Sequence, residues 1–188
     1  PSFGHWETMW KNSRNGGVVL DNAVEANGGQ TVFMMTWGRR NGDQMNAHRS
    51  PTFLSHQANL ESGYKAYAAA CSTAARPVWI APVGLAFRHL YYAAKKAGAT
   101  PGNAGNTFYN LYTGDGSHPS LSGSSLATCV IFATITGRTP VGLAPASGLS
   151  AALALELQEA ARATVFDETP EFDYPWRYLG AGDSVTDA

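Results

Sequence analysis

PVWIAPVGLAFRHLYYAAKKAG, residues 77–98, is the stretch on which the fold class turns. Its first seven residues form a short apolar run rich in β-formers, the pattern of a strand buried on both faces. The chain then passes without a spacer into a helical segment, 84–98, where Lys95 and Lys96 favour the C-terminal end through the helix dipole. Upstream, QTVFMMTW (30–37) repeats the strand signature. Between the two runs, residues 52–75 predict one helix with Leu54, Ala58, Leu60, Tyr64, Tyr67 and Ala68 near one face. Strand, helix, strand, helix in this order predicts an α/β fold with a parallel sheet.

Further out, VVLDNAVEANGG (18–29) has apolar residues at helical spacing and ends at Gly28-Gly29. The opening residues 1–17 are aromatic and glycine-rich and read as a loop or broken helix. Residues 120–137 and 147–166 read as helices, the second with Ser150 as N-cap. Two long polar stretches, 38–52 and 99–120, are loops of a length that often carries function. The tail from 167 to 188 has weak periodicity, and a third strand is offered only by RYLGA (177–181). Two parallel strands buried on both faces do not make a domain alone, so further strands are expected from outside this chain.

Composition narrows the function classes. The 188 residues carry 13 Lys+Arg against 14 Asp+Glu, a net charge of -1, so there is no basic surplus to neutralise phosphates and nucleic-acid binding is not expected. Charged residues are 14% of the chain, well below the roughly 25% of an average soluble domain. That suits an extracellular setting or extensive contact with partners. The longest apolar runs fall short of the about 20 residues a bilayer span needs. Cys71 and Cys129 sit in apolar, helix-like segments and read as buried free thiols. His5, His48, His56 and His89 show no metal-ligand spacing with Cys, Asp or Glu, so no metal is expected.

The candidate chemistry lies in Asp115-Gly116-Ser117-His118-Pro119. An Asp three residues before a His, on a loop entering a helix, can accept from one ring nitrogen and leave the other to take a hydroxyl proton. Pro119 suits the first helical turn, where a missing N–H costs nothing. The plainer alternative is an Asp-Gly turn carrying a surface His. Arg39, Arg40 and Asp43 follow the first strand's C-terminal end, where open α/β sheets place their sites. They either line a substrate cleft or belong to a solvated loop. Trp37 either stacks on a sugar ring or joins the core.

LYTGDGSHPSLSGSSLATCVIFATITGRTPVG (111–142) resembles the closing catalytic block of the SGNH (GDSL-like) hydrolase superfamily, in a branch carrying Asp-Gly-x-His-Pro-Ser. TVFMMTWGRRNGD (31–43) and PVWIAPVGLAF (77–87) are similar to two further segments of that branch, and the likeness spans roughly residues 17–165. It implies a three-layer α/β/α fold with a parallel sheet. Residues 1–166 would be the C-terminal portion of that domain and 167–188 a tail or docking segment. Asp115 and His118 map to the acid and base of a Ser-His-Asp triad, in a reaction that needs no cofactor. Trp37, Arg39, Arg40 and Asp43 are the substrate-binding candidates.

The family's nucleophile and oxyanion blocks precede the matched region, and the first strands are expected to be missing from this chain. The resemblance therefore implies a companion polypeptide carrying the N-terminal part of the fold. A Gly182-Asp183-Ser184 sequence has the form of the nucleophile block and makes Ser184 an alternative nucleophile. The implied substrates are carbohydrate O-acetyl or other small acyl esters. A non-catalytic subunit that keeps the fold within a larger assembly is the competing expectation.

Overall fold

The apolar run after Thr31 forms the first strand, β1 (Val32–Met34), which pairs in parallel with β2 (Trp79–Ala81). The computed structural model describes residues 7–169 and 171–177. Val32 faces Trp79, Phe33 faces Ile80 and Met34 faces Ala81 across the ladder. The register continues past the strands: the Met35 N–H donates to the Ala81 carbonyl at 2.9 Å, and the Gly84 N–H donates to the Met35 carbonyl at 2.9 Å. Both strands are shorter than the apolar runs predict. Trp37 falls in the loop after β1, and Pro82, without an N–H to donate, ends β2. Among the described residues the sheet has these two strands, an α/β arrangement dominated by helix.

The connection between the strands is α2 (Phe53–Cys71). Thr52 and Ser55 form a reciprocal capping box at its start, which fixes the entry to the helix. Its buried face runs Phe53, His56, Gln57, Leu60, Tyr64, Tyr67, Ala68 and Cys71. Leu60, Tyr64, Tyr67 and Ala68 are buried as expected and Leu54 packs on the core, but Ala58 is exposed and the polar His56 and Gln57 widen the buried face. After β2, α3 (Val83–Lys96) starts at once, with Val83, Leu85, Ala86, Phe87 and Leu90 buried and Lys95 and Lys96 in its last turn. Gly84 allows that join. A Cβ there would lie 2.3 Å from both the Thr36 carbonyl oxygen and the Gln57 amide.

The opening segment corrects the sequence reading. Residues 7–26 form one continuous helix, α1 (Glu7–Ala26), through Gly16 and Gly17, rather than a loop and a separate helix. Each mid-helix glycine costs about 1 kcal/mol against alanine, and tertiary contacts offset this. Trp10 stacks on Tyr67 with centroids 5.2 Å apart, and Ser13 hydrogen-bonds the Tyr67 hydroxyl. Buried Asp21 accepts two hydrogen bonds from the Arg76 guanidinium, both at 2.9 Å, tying α1 to the turn before β2. Trp10 and Val18 pack on the core, while Val19 and Leu20 point away from it, 66% and 70% exposed.

The short α4 (Thr107–Asn110), capped by Asn106, interrupts the second long loop. Then α5 (Leu121–Thr136) and α6 (Ala151–Arg162) pack together through small residues, among them Ala127, Ala133, Ala154, Ala160 and Ala161, with Leu126, Val130 and Leu157 fully or almost fully buried between them. Ser150 caps α6 as its sequence predicts, accepting from the Leu153 N–H at 3.2 Å. The helix ends in a wider π turn over 163–168, where the Thr164 hydroxyl bonds back to the Ala160 carbonyl at 2.8 Å. From the segment read as a tail, Phe172 and Tyr174 are buried, and Trp176 lies against Gly137. The proposed RYLGA strand lies outside the described residues apart from Arg177, which closes a 3₁₀ turn.

Candidate functional site

The Asp115–His118 loop is built by local hydrogen bonding. Tyr112 and Pro119 form an isolated antiparallel bridge, so residues 112–119 double back as a tight loop. The Thr113 N–H donates to the His118 carbonyl at 2.9 Å, and the Gly116 N–H donates to the Thr113 carbonyl at 3.0 Å. Gly116 has φ of 68°, a left-handed conformation that glycine adopts without strain. One carboxylate oxygen of Asp115 then accepts from the Ser117 N–H (2.8 Å), the His118 N–H (3.0 Å) and the Thr113 hydroxyl (2.8 Å). This is the habit of Asp at a turn, its side chain capturing the amides that follow it.

The second carboxylate oxygen lies 2.5 Å from Nδ1 of His118. Together with the two backbone amides and the threonine hydroxyl, the His118 ring holds the Asp115 carboxyl well below the usual carboxylate range. An ionised carboxylate at that distance fixes the proton on Nδ1, which leaves Nε2 as the ring's acceptor. The His118 side chain is 79% exposed and that of Asp115 48%, so the acceptor is open to an incoming group.

Helix α5 anchors the loop from behind. Ser120 is its N-cap, accepting from the Gly123 N–H and donating to the Asn110 carbonyl at 2.6 Å. Pro119 therefore lies one residue before the cap, at the Tyr112 bridge, rather than in the first helical turn as expected. Gly123 lets the helix sit against the Leu111 carbonyl, whose oxygen would be 2.2 Å from a Cβ at that position.

The loop after β1 supports the pair from the sheet side. Trp37 is half-buried, stacked on Phe87 at 4.8 Å, and its indole N–H donates to the Ser117 carbonyl at 3.0 Å. The Arg40 N–H donates to the Gly116 carbonyl at 2.8 Å, while its guanidinium lies 3.9 Å over the Tyr109 ring. Arg40 is buried. So is Asp43, which caps the 3₁₀ turn 44–46 and pairs with Arg39 at 2.7 Å. Arg39 keeps a substantial exposed portion of side chain and is the one of these three charged residues with a surface to offer a ligand. The structure thus brings Trp37 and Arg40 onto the Asp115–His118 loop by direct hydrogen bonds, with Arg39 and Asp43 in the same segment.

Ser184 lies outside the described residues. Among the described residues no group of three or more His, Cys, Asp and Glu is gathered to hold a metal ion, and no helix is long and apolar enough to cross a membrane. Cys71 and Cys129 are free thiols, the first buried and the second half-buried. Sequence reasoning missed His56, Gln57 and Tyr112, which sit directly beneath the loop after β1. The only signal for the first two was a polar pair interrupting an otherwise apolar helix face. No protein-family model, curated protein or solved structure matches this chain.

Proposed function

We propose that this chain supplies the acid–base pair of a serine ester hydrolase of the SGNH type. The observation that carries the reading is the Asp115–His118 pair itself: a carboxylate fixed by three local donors, 2.5 Å from Nδ1 of an imidazole that is mostly exposed. That is the arrangement a general base needs, with the tautomer set and the accepting nitrogen facing outward. Its position adds support, because the loop after β1 reaches it from the C-terminal end of a parallel strand, where open α/β sheets gather their sites.

In the reaction, Nε2 of His118 takes the proton of a serine hydroxyl as its oxygen bonds to the acyl carbonyl carbon. The ester C–O bond breaks, and the alcohol leaves with the proton returned by His118. Water, activated by the same nitrogen, then releases the acid and frees the serine. Asp115 keeps Nδ1 protonated and stabilises the imidazolium. The proposed substrates are carbohydrate O-acetyl or other small acyl esters, with Arg39 as the exposed side chain placed to meet one.

The serine and the oxyanion donors are assigned to a companion polypeptide that continues the sheet into a three-layer α/β/α domain, or to Ser184. Exposed Met34 on β1 and exposed Val19 and Leu20 on α1 suit a covered surface. The test is hydrolysis of a chromogenic acetyl ester by the native assembly. Replacing His118 by Ala is expected to lower kcat by about 10²–10⁴, the range of a lost general base. Hydrolysis that is absent, or indifferent to His118, contradicts the proposal.

A further inference from the structure

We propose that His56 and Gln57 are positioning residues for the Asp115–His118 pair, acting through the backbone of residues 38–40; this rests on reading that pair as catalytic. Three successive amides of the loop after β1 are taken up in turn. The Gly38 N–H donates to Oε1 of Gln57 at 2.8 Å, and the Arg39 N–H donates to Nδ1 of His56 at 3.2 Å. The third, of Arg40, donates to the Gly116 carbonyl inside the catalytic loop at 2.8 Å. The Gly38 carbonyl is held as well, accepting from the Tyr112 hydroxyl at 2.6 Å. Two amides are therefore gripped from α2 so that the third reaches the loop carrying the pair.

The side chains that grip are themselves fixed. Gln57 is fully buried, and its NH₂ lies 3.7 Å from Sδ of Met35. It is confined by Gly84, where a Cβ would stand 2.3 Å from that nitrogen. His56 is 5% exposed and accepts through Nδ1, which places its proton on a buried Nε2 that has no hydrogen-bond partner among the described residues. A buried polar pair in a helix core carries a desolvation cost. Here that cost accompanies two hydrogen bonds to a loop that has no sheet partner for those amides. Apolar residues in the same places could pack but could not hold the loop.

The test is amide hydrogen exchange on the full chain for wild type, Gln57→Leu, His56→Leu and His56→Asn. In both Leu variants, exchange at the Arg40 amide and the Trp37 indole N–H is expected to rise about tenfold or more, as a lost buried acceptor loosens a local structure. Amides of the α5–α6 core, such as those of Val130 and Leu157, keep their wild-type protection. His56→Asn, whose Oδ1 can take the place of Nδ1, restores slow exchange at Arg40. Unchanged exchange at Arg40 and Trp37 overturns the proposal, and so does a uniform rise that includes the core. If the Leu variants do not fold, Tyr112→Phe reads the same loop more gently, with local acceleration expected and no change overturning the proposal. The hydrolase reading fails separately, if the native assembly cleaves no ester while the exchange pattern is as expected.

Discussion

Gly123→Ala sets two opposing effects against each other at the helix that follows the Asp115–His118 loop. Alanine in a helix gains up to about 1 kcal/mol over glycine. At Gly123 the new methyl would stand 2.2 Å from the Leu111 carbonyl oxygen and 3.1 Å from Cβ of Pro119. That oxygen already accepts from the Ser120 N–H at 2.9 Å, so it cannot move without disturbing the α5 cap. Overpacking of a closed site costs about 1–3 kcal/mol, and a backbone neighbour places this case at the upper end. The net is a loss of about 1–2 kcal/mol, a fall in Tm of about 2–8 °C for a domain of this size. Gly16→Ala in α1 is the control: nothing lies within 4 Å of its Cβ, so the propensity gain stands alone. It is expected to raise Tm by about 1–4 °C. Thermal unfolding followed by circular dichroism measures both. A Gly123→Ala variant that melts at or above wild type refutes the seating of α5 on Leu111.

Burial depresses the basicity of His56, with Asp43 opposing and Arg39 reinforcing that shift, so the unfolded chain binds its proton more readily than the folded one. The His56 contribution to stability is then full above about pH 6.5 and is lost as pH falls from there towards the lower folded value; urea unfolding of His56→Asn is expected to lack that part of the acid slope. Arg76→Met leaves buried Asp21 without the guanidinium that holds its carboxyl low, and the urea midpoint is expected to fall. An unchanged midpoint contradicts the anchoring of α1 through this pair. Burial, with the Asp21 charge adding to it, raises the Cys71 thiol above its ordinary value, and burial alone raises Cys129. Iodoacetamide at neutral pH is expected to modify both slowly until the chain is unfolded, and rapid modification of Cys71 in the folded chain would show that α2 is not packed as described.

What the sequence made legible was local. The Asp115–His118 pair depends on a four-residue turn whose amides, carboxylate and glycine all lie within one short segment, so spacing showed that the two could meet, and the resemblance of the surrounding block singled them out. The alternation of strands and helices and the cap at Ser150 are similarly short-range. The long-range features were hidden. Gly16-Gly17 reads as a helix breaker until Trp10, Ser13 and Asp21 find partners far along the chain. The strands end early because Trp37 is taken into the loop after β1 and because Pro82 stops β2 just before α3 begins. His56 and Gln57 look like ordinary surface polars in the sequence, because the apolar periodicity that placed Leu60, Tyr64, Tyr67 and Ala68 inside says nothing of polar side chains buried to hold a loop.

The most direct measurement is fluorophosphonate labelling of the native assembly, with the modified residue located by peptide mapping. The expected result is an adduct on a single serine, in this chain or in a companion, that is lost or greatly slowed in His118→Ala. No adduct, or one that forms equally well without His118, contradicts the assignment of Asp115 and His118 to ester hydrolysis.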